Sequence, residues 1–203
     1  GRDYSHIGAG LAGFIVERAF GEPLNVYTRD HIFRPLQMTR TGWFLSEVDL
    51  ADHTRLYVSQ NGHVIPIPLY GGTTYPDGGV RTSVADLSKF FIALLNGGEY
   101  HGARILDSAS TAEMLRFQFN DANRPGNFPA ADGNSGLFWR TKLNGTRIGH
   151  GGNDPGIQTE MLSDLSKEVG VILLVNTSLG GSDQRASSAI FDALWEHAVT
   201  LKN

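Results

Sequence analysis

An α+β fold is what this sequence predicts: a helical region first, then an antiparallel sheet, then one covering helix. Three observations carry that reading. Apolar residues recur at spacings of three and four near the amino end and again behind Ser83. The last third switches to short apolar runs separated by turn signals. A final helical pattern closes the chain.

Each element follows from local chemistry. Ile7, Leu11, Phe14, Ile15 and Ala19 define a helix over 7–20, ended by Gly21 and Pro23. A second helix is expected over 26–33, stopped ahead of Pro35 because the residue before a proline avoids helical backbone. Residues 35–42 read as a loop. Asn61-Gly62 is the expected turn of a hairpin between strands 55–59 and 64–67. Tyr75-Pro76-Asp77-Gly78-Gly79 is a strong turn signal. Behind it, Ser83 and Asp86 read as a capping pair for a helix running to Leu95. That helix is expected to bury Val84, Leu87, Phe90, Phe91 and Leu94, and Asn96-Gly97-Gly98 closes it. A short helix is expected over 110–117, and the segment 119–136, rich in Asn, Pro and Gly, reads as a long loop.

Strands are expected over 137–143, 146–149, 157–163 and 169–176, with Asn144-Gly145 as a hairpin turn. Connections this short require antiparallel neighbours. The last helix, over 184–201, places Ala186, Ile190, Leu194, Ala198 and Leu201 on one face, flanked by Trp195. The expected division is a helical region over 1–136 and a sheet with its covering helix over 137–203.

Composition removes several classes of function. The chain has 203 residues, 40% hydrophobic and 19% charged, with a net charge of −4 spread without runs. No basic stripe offers itself to a nucleic acid. No apolar run approaches the roughly 20 residues of a membrane span. The absence of cysteine excludes disulfides, thiol catalysis and cysteine–zinc sites, and it leaves the compartment open. The seven histidines show no His-x-x-x-His spacing, so no metal site is expected.

Two positions carry chemistry. His150, in Gly149-His150-Gly151-Gly152-Asn153-Asp154-Pro155-Gly156, stands at the expected end of one strand, just ahead of the next. Glycines around it let a ligand approach the backbone and leave N–H groups to point into a cleft. A histidine there can donate to a substrate carbonyl or carboxylate, or shuttle a proton near neutral pH. The alternative is a turn histidine bonded to nearby backbone. Tyr4, in Tyr4-Ser5-His6 ahead of the first helix, is either a packing residue or a base whose phenolate needs adjacent positive charge. Ser5 reads as a helix cap.

Taken together, these pieces resemble the serine β-lactamase and penicillin-binding-protein family, which includes cephalosporinase-type β-lactamases, DD-peptidases, D-aminopeptidases and related carboxylesterases. Its signatures are Ser-x-x-Lys, then Tyr-x-Asn, then Lys-Thr-Gly or His-x-Gly. Tyr4-Ser5-His6 is similar to the second, and His150-Gly151-Gly152 to the third. Pro35-Leu36-Gln37-Met38-Thr39-Arg40-Thr41-Gly42 resembles the family's Pro-Leu-Gly-Met-x-x-Thr segment. Residues 76–87, Pro76-Asp77-Gly78-Gly79 through Asp86-Leu87, resemble its Gly-Gly-Leu-x-Ser-Thr-x-x-Asp-Leu segment.

The resemblance implies a β-lactamase/transpeptidase-like fold and a two-step acyl transfer that requires no metal or organic cofactor. A serine attacks an ester or amide carbonyl, a lysine and Tyr4 handle its proton, and water releases the acyl group. It further implies that His150 contacts the substrate, that Gly151 and Gly152 leave room for the acyl group, and that the Asn153 N–H is one oxyanion donor. The substrate would be a small ester, amide or peptide.

Two departures matter. No serine of the chain is followed three residues later by lysine. In the family that element precedes the tyrosine signature, and Gly1-Arg2-Asp3 does not read like a natural start. The expectation is therefore the C-terminal part of a hydrolase, inactive alone. An apolar face and a strand edge would be left for a complementing N-terminal part or an oligomeric partner to cover. Second, the usual asparagine is His6, which either enters the site with one donor and one acceptor or merely fills space at the helix start. The alternatives are a β-lactamase or DD-peptidase, whose ordinary β-lactamase form carries lysine at 150 and asparagine at 6, or a non-catalytic binding domain.

Overall fold

The computed structural model describes residues 3–202, so Gly1 and Arg2 of the unusual start, and Asn203 of the second expected region, lie outside the described residues. The chain forms two compact units. One consists of the residues up to His53 together with Tyr70–Thr111; the other consists of Thr54–Leu69 and the chain from Ala112 onward.

In the helical unit, α1 spans His6–Phe20. Ser5 caps it by accepting from the Gly8 N–H at 2.9 Å, and Gly21 ends it in the left-handed conformation (φ 74°). The second helix begins earlier than the pattern predicted. Pro23 opens α2, Leu24–Thr28, which continues as a wider π turn over Arg29–Phe33 and stops where expected. After the Tyr75–Asp77 turn, α3 covers Val84–Leu95, with the Ser83 hydroxyl accepting from the Asp86 N–H at 3.1 Å. The expected buried face is corrected at its start. Val84 is exposed, and Asp86, Phe91, Ala93 and Leu94 are the buried residues. Phe33, Leu36, Met38 and Ala93 form the core, with Trp43, Phe90 and Tyr100 against it. A two-residue hairpin, β3 (Glu99–Tyr100) and β4 (Ala103–Arg104), was not legible in the sequence.

In the sheet unit, β1 (Leu56–Gln60) and β2 (His63–Ile67) pair through Asn61-Gly62, both with positive φ, as the type I′ signal predicted. Four antiparallel strands follow: β5 (Arg140–Lys142), β6 (Arg147–Asp154), β7 (Ile157–Asp164) and β8 (Gly170–Val175), hydrogen-bonded in that order. β5 is shorter than expected because Phe138 adopts a left-handed backbone (φ 60°) that no strand accommodates. The short β9, Thr177–Ser178, pairs in parallel with β1.

α4 covers Ser108–Leu115, starting and ending two residues before the expected helix. α5, Gly181–Lys202, covers the sheet. Its buried face is Ser187, Phe191, Trp195 and, half-buried, Ala198; of the expected face only Ala198 takes part, while Ala186, Ile190, Leu194 and Leu201 are exposed. Leu162, Val169 and Val171 pack under Phe191 and Trp195, and the Arg147 guanidinium lies 3.7 Å from the Trp195 ring centre. These aromatics have more surface to remove from water than Ile190 or Leu194, and that difference sets the rotation of the helix.

Candidate active site

His150 lies inside β6 and not at its end. The strand runs unbroken through His150-Gly151-Gly152-Asn153-Asp154, paired residue by residue with β7 from Asp154↔Ile157 to Arg147↔Asp164. The turn is Pro155-Gly156, where proline fixes the first corner and Gly156 takes φ 78° at the second, a type II arrangement. The Gly156 N–H donates to Ser178 Oγ at 2.7 Å, and a Cβ there would stand 2.7 Å from Leu56 Cβ. The glycines before it therefore belong to a strand. β5 pairs with β6 only as far as Arg140↔Gly149, so residues 150–154 have a strand neighbour on one side within this sheet.

The two candidate glycines have different reasons to be small. Gly151 pairs with Glu160, whose carboxylate forms an ion pair with Lys142 Nζ. A Cβ on Gly151 would run into that carboxylate and stand 2.8 Å from Lys142 Nζ. A Cβ on Gly152 would meet only Thr159 Oγ1, at 2.9 Å. Gly151 is thus confined by the backbone carbonyl of Thr159, 2.8 Å from such a Cβ, as well as by the ends of the ion pair.

His150 is half-buried and donates from Nδ1 to the Gly151 carbonyl at 2.7 Å. A carbonyl only accepts, so the proton of the neutral ring sits on Nδ1 and the lone pair on Nε2. Burial pushes the imidazole below its ordinary pKa, against the opposing pull of the Gly151 carbonyl, and the charges of Arg140 and Lys142 add to the lowering. These surroundings favour the neutral ring.

Tyr4 and His6 come together in the other unit. Tyr4 is exposed, and its ring meets the His6 ring edge-on with centres 5.1 Å apart. His6 Nδ1 lies 3.2 Å from Asp77 Oδ2, which also accepts from the Thr74 hydroxyl at 3.0 Å. The sequence marks Asp77 as a turn residue and as part of the family-like segment 76–87, and gives no sign of this contact. The phenol most shifted by its surroundings is Tyr75. Burial, with the Glu17 carboxylate accepting its hydroxyl at 2.9 Å, drives it up to about 12, so it stays protonated.

The other two family-like segments meet at a buried carboxylate. Asp86 Oδ2 accepts from the Arg40 N–H (2.7 Å) and the Thr41 hydroxyl (3.1 Å), and its Oδ1 pairs with Lys89 at 2.9 Å. Their role is structural: Asp86 ties the 35–42 loop to α3. No group of metal-ligating side chains occurs among the described residues.

Comparison with known proteins agrees with this architecture. Residues 1–194 match the protein-family model described as Beta-lactamase. A protein of Escherichia coli K12, provisionally named a D-alanyl-D-alanine carboxypeptidase, is 27% identical over 164 residues, which are 70% of this chain and 35% of that protein. The D-amino acid amidase of Ochrobactrum anthropi SV3, solved with L-phenylalanine, superposes with a TM-score of 0.74 at 25% identity over 98% of this chain and 57% of its own. The octameric penicillin-binding protein homologue of Pyrococcus abyssi shares the fold, with a TM-score of 0.73 at 24% identity over 96% of this chain and 43% of its own. The chain thus spans about a third of the curated relative and about half of these solved ones.

Proposed function

Because this chain belongs to the Beta-lactamase family, we propose that it supplies the proton-handling and substrate-holding side of a serine acyl-transfer site acting on an ester, amide or peptide. The observation that carries this reading is the hydrogen bond from His150 Nδ1 to the Gly151 carbonyl, on the part of β6 that β5 does not pair, which commits the Nδ1 proton. Donation to a substrate carboxylate would need a protonated ring, which its surroundings oppose. A neutral Nε2 suits the second expected role, taking up or passing on a proton.

Tyr4 then takes the proton that leaves an attacking serine, provided a lysine ammonium lies beside it to favour the phenolate. That serine and lysine come from outside these 203 residues, none of whose serines has lysine three positions on. The Asn153 N–H, on the part of β6 that β5 does not pair, serves the oxyanion. Such a donor is worth roughly 3–4 kcal/mol to the transition state. The similarity to a D-amino acid amidase and to a carboxypeptidase favours amide or peptide substrates over β-lactams, as do histidines at both 6 and 150.

A non-catalytic binding domain is the second reading, favoured by the same lack of a Ser-x-x-Lys pair. A fluorophosphonate probe and a p-nitrophenyl short-chain ester test both. The chain alone is expected to gain no mass and release no phenolate, whereas a chain preceded by Ser-x-x-Lys is expected to do both. Stoichiometric labelling of any serine within these 203 residues would contradict the assignment, and an unlabelled chain that does carry an upstream Ser-x-x-Lys would favour the binding domain.

A further inference from the structure

His6, Gly13 and Glu17 lie at spacings of seven and four, which puts them on one stripe of α1. Each meets the same short segment. A Cβ on Gly13 would stand 2.7 Å from Pro76 Cβ, so only glycine lets the Tyr75–Asp77 turn lie this close to the helix. Glu17 accepts from the Tyr75 hydroxyl at 2.9 Å and from the Leu24 N–H at 2.8 Å, fixing the turn at its other end. Trp43 and Phe44 pack on the Tyr75 ring, with centres 5.3 and 4.9 Å away. The outcome is that Asp77, itself held by the Thr74 hydroxyl, is carried up to His6 Nδ1.

A carboxylate can only accept, so this 3.2 Å contact favours the ring form that carries its proton on Nδ1. We propose that Asp77 is a positioning residue for His6, holding the ring by Nδ1 so that the neutral imidazole offers Nε2 as a hydrogen-bond acceptor. An asparagine at this position would present a donor and an acceptor together. His6 backed by Asp77 presents an acceptor alone when neutral, and it therefore selects partners that donate: an ammonium or an amide N–H rather than a carbonyl or carboxylate. The catalytic use of this device rests on the acyl-transfer reading; the hold of Asp77 on His6 does not.

The test is the tautomer of His6, read by two-bond 1H–15N correlation on the labelled 203-residue chain at alkaline pH. The expected spectrum has pyrrole-type nitrogen at Nδ1 and pyridine-type at Nε2. Asp77→Asn, whose amide oxygen still accepts, should keep that pattern. Asp77→Ala should lose it, while the amide signals of Gly8 and Gly79 show that the helix cap and turn persist. If those signals move, the near-isosteric Asp77→Leu replaces alanine.

A wild-type His6 protonated at Nε2, or a pattern indifferent to Asp77→Ala and Asp77→Leu, overturns the proposal. In an acylating protein, Asp77→Ala should lower kcat/KM about tenfold with His6 present and leave it unchanged in a His6→Asn background; equal losses in both would also overturn it. An intact tautomer in a chain that never acylates, even with an upstream Ser-x-x-Lys, would uphold Asp77's hold on His6 and count against the acyl-transfer reading instead.

Discussion

Asp86 shows what a single residue reveals and conceals. Its cap from Ser83 was legible because capping is a contact over three residues. Its buried bonds to Arg40 and Thr41 were not, because they join segments more than forty residues apart. Removing the carboxylate leaves the Arg40 N–H without its acceptor and the Lys89 ammonium without its counter-charge, although Lys89 keeps the Gln37 carbonyl. Asp86→Ala should therefore cost about 3 kcal/mol or more in urea unfolding. His150 predicts a pH dependence. Its pKa is lowered on folding, so the unfolded chain binds more protons near the ordinary histidine value of about 6.5. The stability it contributes is complete above that value and is lost as pH falls through the lowered folded-state pKa. His150→Gln should flatten this part of the stability–pH curve, and an unchanged curve would mean that His150 is not the titrating group.

Among the elements, the hairpins were the most legible, because Asn61-Gly62 and Asn144-Gly145 specify left-handed corners that few other pairs tolerate. The extent of β6 was not. Glycine is poor in strands, so Gly149-His150-Gly151-Gly152 reads locally as a turn. What keeps it a strand is pairing with β7 and the Lys142–Glu160 pair over Gly151, neither of which is a local signal. Gly151→Ala should destabilise the sheet unit, with partial relief when combined with Glu160→Ala, since the Thr159 carbonyl also crowds the new methyl at 2.8 Å. In α5, two apolar stripes lie one residue apart and periodicity could not choose between them. The aromatic stripe is buried, so Trp195→Ala should cost about 3–5 kcal/mol. Ile190→Ala, at a position 53% exposed, should change stability by about 0.5 kcal/mol or less. Equal effects at the two positions would reverse the assigned face.

At the scale of the whole molecule, the fold class and the family were readable because four short segments keep their order along the chain. The substrate was not, because a pocket is a property of packing. α1 exposes Ile7, Leu11, Phe14 and Ile15, and β8 ends its sheet, paired there with β7 among the described residues. The 203-residue chain alone is therefore expected to self-associate. Light scattering should show lower mass after Leu11→Glu with Phe14→Lys, and a monomeric wild-type chain would contradict this.

The proposed acyl transfer requires Tyr4 and His150 to serve one reaction, and their coupling in turnover is the measurement that decides it. In a chain preceded by a Ser-x-x-Lys pair, Tyr4→Phe and His150→Ala should each lower kcat by at least tenfold. Together they should cost clearly less than the product of the two, as residues acting on a shared proton do. Unchanged rates in either single variant, or fully multiplicative losses in the double, would contradict it.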